Sequence, residues 1–223
     1  MGDKAFYMTG LELGILLDSV GIHHCFCFDL KLNAELTREE VIYSLYALVK
    51  RQWIVIENNR IQVQNQIAEI VNGVKEAKHI LLLSTERGNS LAYLGEKMVT
   101  VSATMNNQYR LQVRTEDPNS FTEWIEEEGV LEVPDEINDV KEIYNRRIDE
   151  EKQMLYNGTY SICSEMVSIK SMDMIGKESG SRTYFFRGMM NGWIVSETLD
   201  GVIENVAIDC TAERRRIYES LRS

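Results

Sequence analysis

LTREEVIYSLYALVKRQWIVIENNRIQV, the stretch from Leu36 to Val63, decides how this chain is read. Thr37 suits an N-cap and Glu40 follows three residues on, so the pair can close a capping box over a first helical turn. Val41, Leu45, Leu48 and Val49 then recur at helical spacing and form one apolar stripe. After Arg51 the period changes. Trp53-Ile54-Val55-Ile56 and Arg60-Ile61-Gln62-Val63 are short strand-like runs, and Asn58-Asn59 between them tolerates the positive φ of a hairpin turn. Helix, strand, turn, strand is the order of a winged-helix-like module, which can serve DNA or protein recognition.

Toward the N-terminus, residues 5–20 read as a helix, with Leu11, Leu13, Ile15, Leu16 and Val20 around Gly14. Toward the C-terminus, Gln66 to Lys78 reads as another, with Ile67, Ile70, Val71 and Val74 on one face. From His79 the pattern turns to strands: His79–Leu83, Leu91–Leu94, Met98–Ala103 and Tyr109–Arg114, the last two joined around Asn106-Asn107. Asp117-Pro118 opens a helix over Ser120–Glu128, and Gly129 stands where a left-handed cap is wanted. A second acidic helix is expected from about Glu136 to Tyr156. The last third returns to strands, Thr159–Lys170, Arg182–Met189, Trp193–Thr198 and Val202–Asp209, with Asn191-Gly192 and Asp200-Gly201 as hairpin turns. A final helix, Thr211–Leu221, carries Arg214-Arg215-Arg216, expected as a solvent-exposed basic patch. The expected fold is α+β: a helical, winged-helix-like module over residues 1–78, then a mostly antiparallel sheet of about seven or eight strands with flanking helices over residues 79–223, the whole forming one unit.

Apolar residues at 44% and charged residues at 26% of 223 match an ordinary globular protein able to bury a core. Only two prolines are present, which argues against long proline-rich linkers. No apolar run approaches the roughly 18 residues a membrane span needs, and Met1-Gly2-Asp3-Lys4 lacks a signal peptide's basic and apolar regions. The Met-Gly start is followed by Phe6 where a myristoylation signal prefers Ser or Thr. A cytoplasmic location is expected. In that setting Cys25, Cys27, Cys163 and Cys210 are expected to be free thiols in apolar surroundings, and Asn157-Gly158-Thr159 reads as a turn despite matching a glycosylation sequon.

The net charge of −11 has a local source. Residues 116–151 hold 14 acidic and 3 basic side chains, while the segments on either side balance. Such a run can be a solvated helical face or a surface that steers a basic partner. On the second reading Glu126, Glu127 and Glu128 are the candidate partner-binding residues.

Catalytic motifs are missing. There is no Gly-x-Ser-x-Gly elbow, no dinucleotide fingerprint and no Walker-type loop, and three histidines leave few general bases. His23-His24-Cys25-Phe26-Cys27 groups metal-type ligands, but no second ligand pair follows at zinc-site spacing. Neither a cofactor nor a metal is expected, and the chain is read as a non-enzyme. DNA binding is the alternative because of the wing. Against it, the helix before the hairpin begins with Glu39 and Glu40, and residues 1–115 carry no net charge.

Taken over most of the chain, this layout resembles the EspG-like chaperones of ESX (type VII) secretion: a short helical region at Leu11–Val20, a capped helix from Thr37-Arg38-Glu39-Glu40 to Lys50, the apolar run Leu48–Ile56, an antiparallel sheet with helices, and closing hairpins with a terminal helix. The resemblance implies a cytosolic, acidic, non-enzymatic protein that binds the tip of a helical secretion substrate. The expected function is therefore a cytoplasmic protein-binding chaperone or adaptor for a helical secreted partner, with a winged-helix transcriptional regulator as the alternative.

Overall fold

Phe6 and Met8 are buried while Tyr7 and Thr9 face out, and this alternation makes Phe6–Thr9 a strand, β1, where a helix was expected from residue 5. The helix starts only at Gly10, because Thr9 closes a capping box: Glu12 N–H donates to Thr9 Oγ1 at 3.2 Å, and Thr9 N–H donates to Glu12 Oε2 at 2.8 Å. The computed structural model describes residues 5–23, 36–58, 60–85, 87–104, 106–130, 166–172, 177–189, 192–200 and 202–222. After β1 come α1 (Gly10–Asp18), α2 (Arg38–Lys50), β2 (Ile54–Glu57), β3 (Arg60–Val63), α3 (Asn65–Glu76), β4 (His79–Thr85), β5 (Gly88–Leu94), β6 (Lys97–Ala103), β7 (Gln108–Thr115), α4 (Pro118–Glu127), β8 (Met166–Met172), β9 (Glu178–Met189), β10 (Gly192–Leu199), β11 (Val202–Ile208) and α5 (Thr211–Arg222). The helix expected over residues 136–156 lies outside the described residues.

Nine strands form one sheet in the order β1-β7-β6-β5-β4-β8-β9-β10-β11, and β2-β3 form a separate two-stranded one. The expected antiparallel character holds, and the sheet exceeds the seven or eight strands anticipated because β1 joins it. Compact grouping gives two units. The first comprises Met1–Ile80, Leu91–Glu116 and Met174–Gly176; the second comprises Leu81–Ser90, Asp117–Asp173 and Lys177–Ser223.

In the first unit β7 pairs with β1 and β6, with Leu111 opposite Phe6 on one side and Val101 on the other. Helix α3 buries Ile67, Ile70, Val71 and Val74 and packs on β6 and β7. Helix α2 is closed at both ends by local bonds. Its expected capping box is present, with Thr37 N–H donating to Glu40 Oε2 at 2.9 Å and Glu40 N–H to Thr37 Oγ1 at 3.3 Å. At its other end Trp53 N–H reaches Leu48 O at 3.0 Å and Gln52 N–H reaches Val49 O at 2.9 Å, the paired bonds of a Schellman cap. Such a cap needs a left-handed residue, and Gln52 (φ +59) takes that role without being glycine. The hairpin turns at Asn58 (φ +51), as read from the sequence.

In the second unit β8, β9, β10 and β11 pair antiparallel in succession, with bulges at Lys170/Met172 and Glu197/Thr198. Asp200 (φ +51) turns β10 into β11. Asp117 caps α4 by accepting from Asn119 and Ser120 N–H at 2.8 and 2.9 Å. Gly129 (φ +113) ends it as expected, with Val130 N–H on Ile125 O at 2.9 Å. Helices α4 and α5 pack through Phe121, Trp124 and Tyr218, and Trp124 Nε1 donates to Ser90 Oγ at 3.0 Å.

The α3–β6 contact leaves no room at Gly73, where an added Cβ would stand 2.5 Å from Val99 Cγ2. Alanine would gain about 1 kcal/mol in helix propensity, but forcing a methyl into a filled core costs about 1–3 kcal/mol. Gly73→Ala is therefore expected to lower stability in chemical denaturation. Adding Val99→Ala should cost less than the sum of the separate losses; strict additivity would show that the contact has slack.

Candidate functional site

Helix α2 buries Leu48 completely and otherwise keeps its apolar side chains half-buried or exposed. Ile42, Tyr43, Tyr46 and Val49 face solvent, Tyr43 at 73% and Tyr46 at 65% exposure, and Val55 and Ile56 of β2 are exposed as well. Together they make an exposed apolar patch larger than the isolated apolar side chains an ordinary surface carries. The helix is held from below. Arg51 Nη1 lies 3.2 Å from the buried Glu12 carboxylate and its guanidinium stacks over Trp53, which meets Phe6 edge-on at 5.8 Å.

Beside α2 is a cleft of about 680 Å³, lined by Glu40, Tyr43 and Ser44 of the helix, by Thr9, and by Asn106 and Asn107 of the β6–β7 turn, where Asn107 has φ +55. Hydroxyl and amide groups are set there among apolar side chains, Leu11, Leu36 and Ala103, and the carboxylate in this described lining, Glu40, caps the helix. Nothing in this lining pairs an acid with a base for proton transfer.

The second unit holds the ionisable clusters, and here one sequence expectation is corrected. Arg214, expected on an exposed basic patch, has 0% exposure. Its Nε and Nη2 donate to the equally buried Asp209 carboxylate at 2.9 and 2.7 Å, Nη1 donates to Glu126 Oε1 at 2.7 Å, and Nη2 also reaches the Val130 carbonyl at 3.4 Å. Arg215 remains exposed and pairs with Glu219 one turn on, at 3.1 Å. Charge runs on terminal helices read as solvated because the burying partners lie far away in sequence. Asp209 was the available signal: an acid five residues before an arginine at a helix start.

Glu197 is the second centre. It is 4% exposed and accepts from Tyr184 Oη at 3.0 Å, from Arg216 Nη1 at 3.0 Å and from Arg182. Burial alone pushes the Glu197 carboxyl up, but the Tyr184 and Arg182 hydrogen bonds and the Arg216 charge outweigh it and hold the group below the usual carboxylate range. Burial pushes the Tyr184 phenol up, and its hydroxyl also meets Ser220 at 2.9 Å. Arg216 is held above its ordinary value first by its hydrogen bond to Glu213. The carboxylate thus stays charged and the phenol protonated near neutrality. This is an electrostatic tie between β9, β10 and α5, with no group poised to exchange protons.

Of the three acids proposed from sequence to meet a partner, Glu126 is 28% exposed and engages Arg214, Glu127 is exposed, and Glu128 is the C-cap of α4. All three sit on the last turn of one helix. Cys25, Cys27 and His24 lie outside the described residues; His23 is exposed, with Nδ1 2.7 Å from Asp18. Among the described residues no group of three or more His, Cys, Asp or Glu side chains is placed to hold a metal, and no helix is long and apolar enough to cross a membrane.

The Glu197 tie has a pH signature. Because its carboxyl titrates lower in the folded chain than in the unfolded one, its contribution is complete above the unfolded value near 4 and fades as pH falls through the folded value. Glu197→Gln should cost about 2 kcal/mol at pH 7 by urea unfolding, with the gap to the parent protein closing in acid. A gap that stays constant with pH would rule out a charged Glu197.

No protein-family model matches the chain, and no curated protein matches it in sequence. In fold it is similar to the type VII secretion system chaperone EspG5 of Mycobacterium tuberculosis, solved in complex with the PE25–PPE41 dimer. The TM-score is 0.57 over 98% of this chain and 96% of that one, at 10% sequence identity. At that identity the likeness establishes the fold, which is the one the sequence layout resembled.

Proposed function

We propose that this protein is a non-enzymatic cytoplasmic chaperone or adaptor that binds a helical protein partner before the partner is exported. The observation that carries this reading is the correspondence in fold, along nearly all of both chains, with a secretion chaperone solved in complex with a protein dimer. The electrostatic clusters agree with it: the carboxylates of Asp209, Glu197 and Glu40 are tied to arginines and a helix cap in a way that supports structure.

The partner is expected on an exposed sheet face or at the acidic end of α4, where Glu126, Glu127 and Glu128 set the local field. Rim charges of this kind change association rate more than affinity. The helix–hairpin of α2, β2 and β3 serves, in this reading, as a winged-helix-like module turned to protein. A DNA-binding use of the same helix is disfavoured by its exposed face, where Arg38 and Lys50 stand beside Glu39, Ile42, Tyr43 and Tyr46 and the mixed, largely apolar surface lacks the basic excess of a groove-reading helix.

The test is purification of the complex from native cells, followed by kinetics. One small helical protein should co-purify in about equal amount, as specific interfaces of standard size allow. Glu127→Lys with Glu128→Lys should then slow association several-fold at low salt, and the defect should shrink as salt rises. Glu126→Lys does not belong in that set, since it would place a second cation against the buried Arg214 and unfold the unit. Association indifferent to the double reversal would remove α4 from the interface, and recovery of nucleic acid alone would overturn the reading.

A further inference from the structure

The residues of α2 that face away from its own unit are ordered by charge as well as by polarity. Glu39, Ile42, Tyr46 and Val49 follow one another at spacings of three and four, so they form a single stripe, and Tyr43 and Lys50 form the row beside it. All six are exposed. Val41, Leu45 and the buried Leu48 turn inward, while Arg38 lies exposed at the edge of the outward face one turn before Ile42, so that with Glu39 and Glu40 this end of the helix is acidic by one net charge. The exposed face therefore reads acid, apolar middle, base along the helix.

A face with that order complements itself when turned end for end. Glu39 and Lys50 lie symmetrically about the same midpoint as Tyr43 and Tyr46. In an antiparallel pair of α2 helices, Glu39 of one copy meets Lys50 of the other, and Tyr43 meets Tyr46, twice over by symmetry. Within one chain the two charges cannot meet, because eleven residues at about 1.5 Å rise set them about 16 Å apart. Neighbouring groups do not compete for these roles: Arg51 is committed to Glu12 and Trp53, and Glu40 to the cap over Thr37.

We propose that the exposed face of α2 takes a second copy of this chain, forming an isologous homodimer through antiparallel α2 helices. Tyrosine pairs lie at its centre and Glu39–Lys50 pairs at its two ends. A foreign helix would need no such internal symmetry in the face that receives it. The contact is one helix wide, smaller than the standard of about 800 Å² per partner, so the dimer is a reversible one in the micromolar range.

Sedimentation equilibrium of the full chain, from low micromolar to several hundred micromolar, should show the mass rising from 25.7 kDa toward twice that value. Glu39→Lys and Lys50→Glu, made separately, should each weaken the dimer about tenfold at low salt, since each puts two like-charged pairs into the contact. An equimolar mixture of the two variants should recover dimers, because every cross pair then joins opposite charges. Thermal unfolding followed by circular dichroism should match the parent for both, as both sites are exposed. A chain that stays monomeric throughout, a dimer insensitive to both substitutions, or a mixture no tighter than its components would each overturn the proposal. No export partner enters this experiment, so its result is separate from that of the proposed chaperone role.

Discussion

Taking the Arg214 guanidinium out of water costs several kcal/mol unless carboxylates replace its hydration, and the second unit is organised around meeting that demand. Asp209 supplies a two-point contact from the end of β11, Glu126 supplies a third oxygen from the last turn of α4, and the Val130 carbonyl closes the fork. One side chain on α5 thereby fixes the end of a strand, the end of a second helix and the residue beyond its glycine cap. Glu197 does the same for β9, β10 and α5 from the other side of the helix, through Tyr184, Arg182 and Arg216. With those acids held, the outward charge of α4 rests on its remaining glutamates. The electrostatics that fold the unit also decide what it presents.

The helices of the first unit are started by local bonds. Two capping boxes of the same form, Thr9–Glu12 and Thr37–Glu40, start α1 and α2. Helix α2 needs such help, because a 13-residue helix with one fully buried side chain is marginal by itself. A capping box at one end and paired backbone bonds at the other let it hold aromatic side chains in solvent.

Elements governed by neighbours along the chain are legible in the amino-acid sequence. The caps at Thr37, Asp117 and Gly129 and the turns at Asn58, Asn107 and Asp200 follow from residues within five positions of each other. Features governed by distant partners are not legible in that way. Phe6–Thr9 becomes a strand because β7, a hundred residues on, offers Leu111 and Arg110 as pairing partners. Arg214 reads as surface until Glu126, 88 residues away, is seen beside it. Glu197 looks like any strand glutamate until α5 brings Arg216 to it. Gln52 is silent for another reason: a left-handed cap favours glycine, and here the paired bonds to Val49 and Leu48 are completed around a residue that does not advertise that conformation.

The fold is that of a secretion chaperone at 10% sequence identity, and the role proposed from it stands or falls with an export substrate. The most direct measurement is the solubility of the helical export substrate when it is produced with and without this chain in the same cell. The account predicts that the substrate aggregates or is degraded alone and stays soluble in a stoichiometric complex when this chain is present. A substrate equally soluble in both cases would contradict a chaperone role.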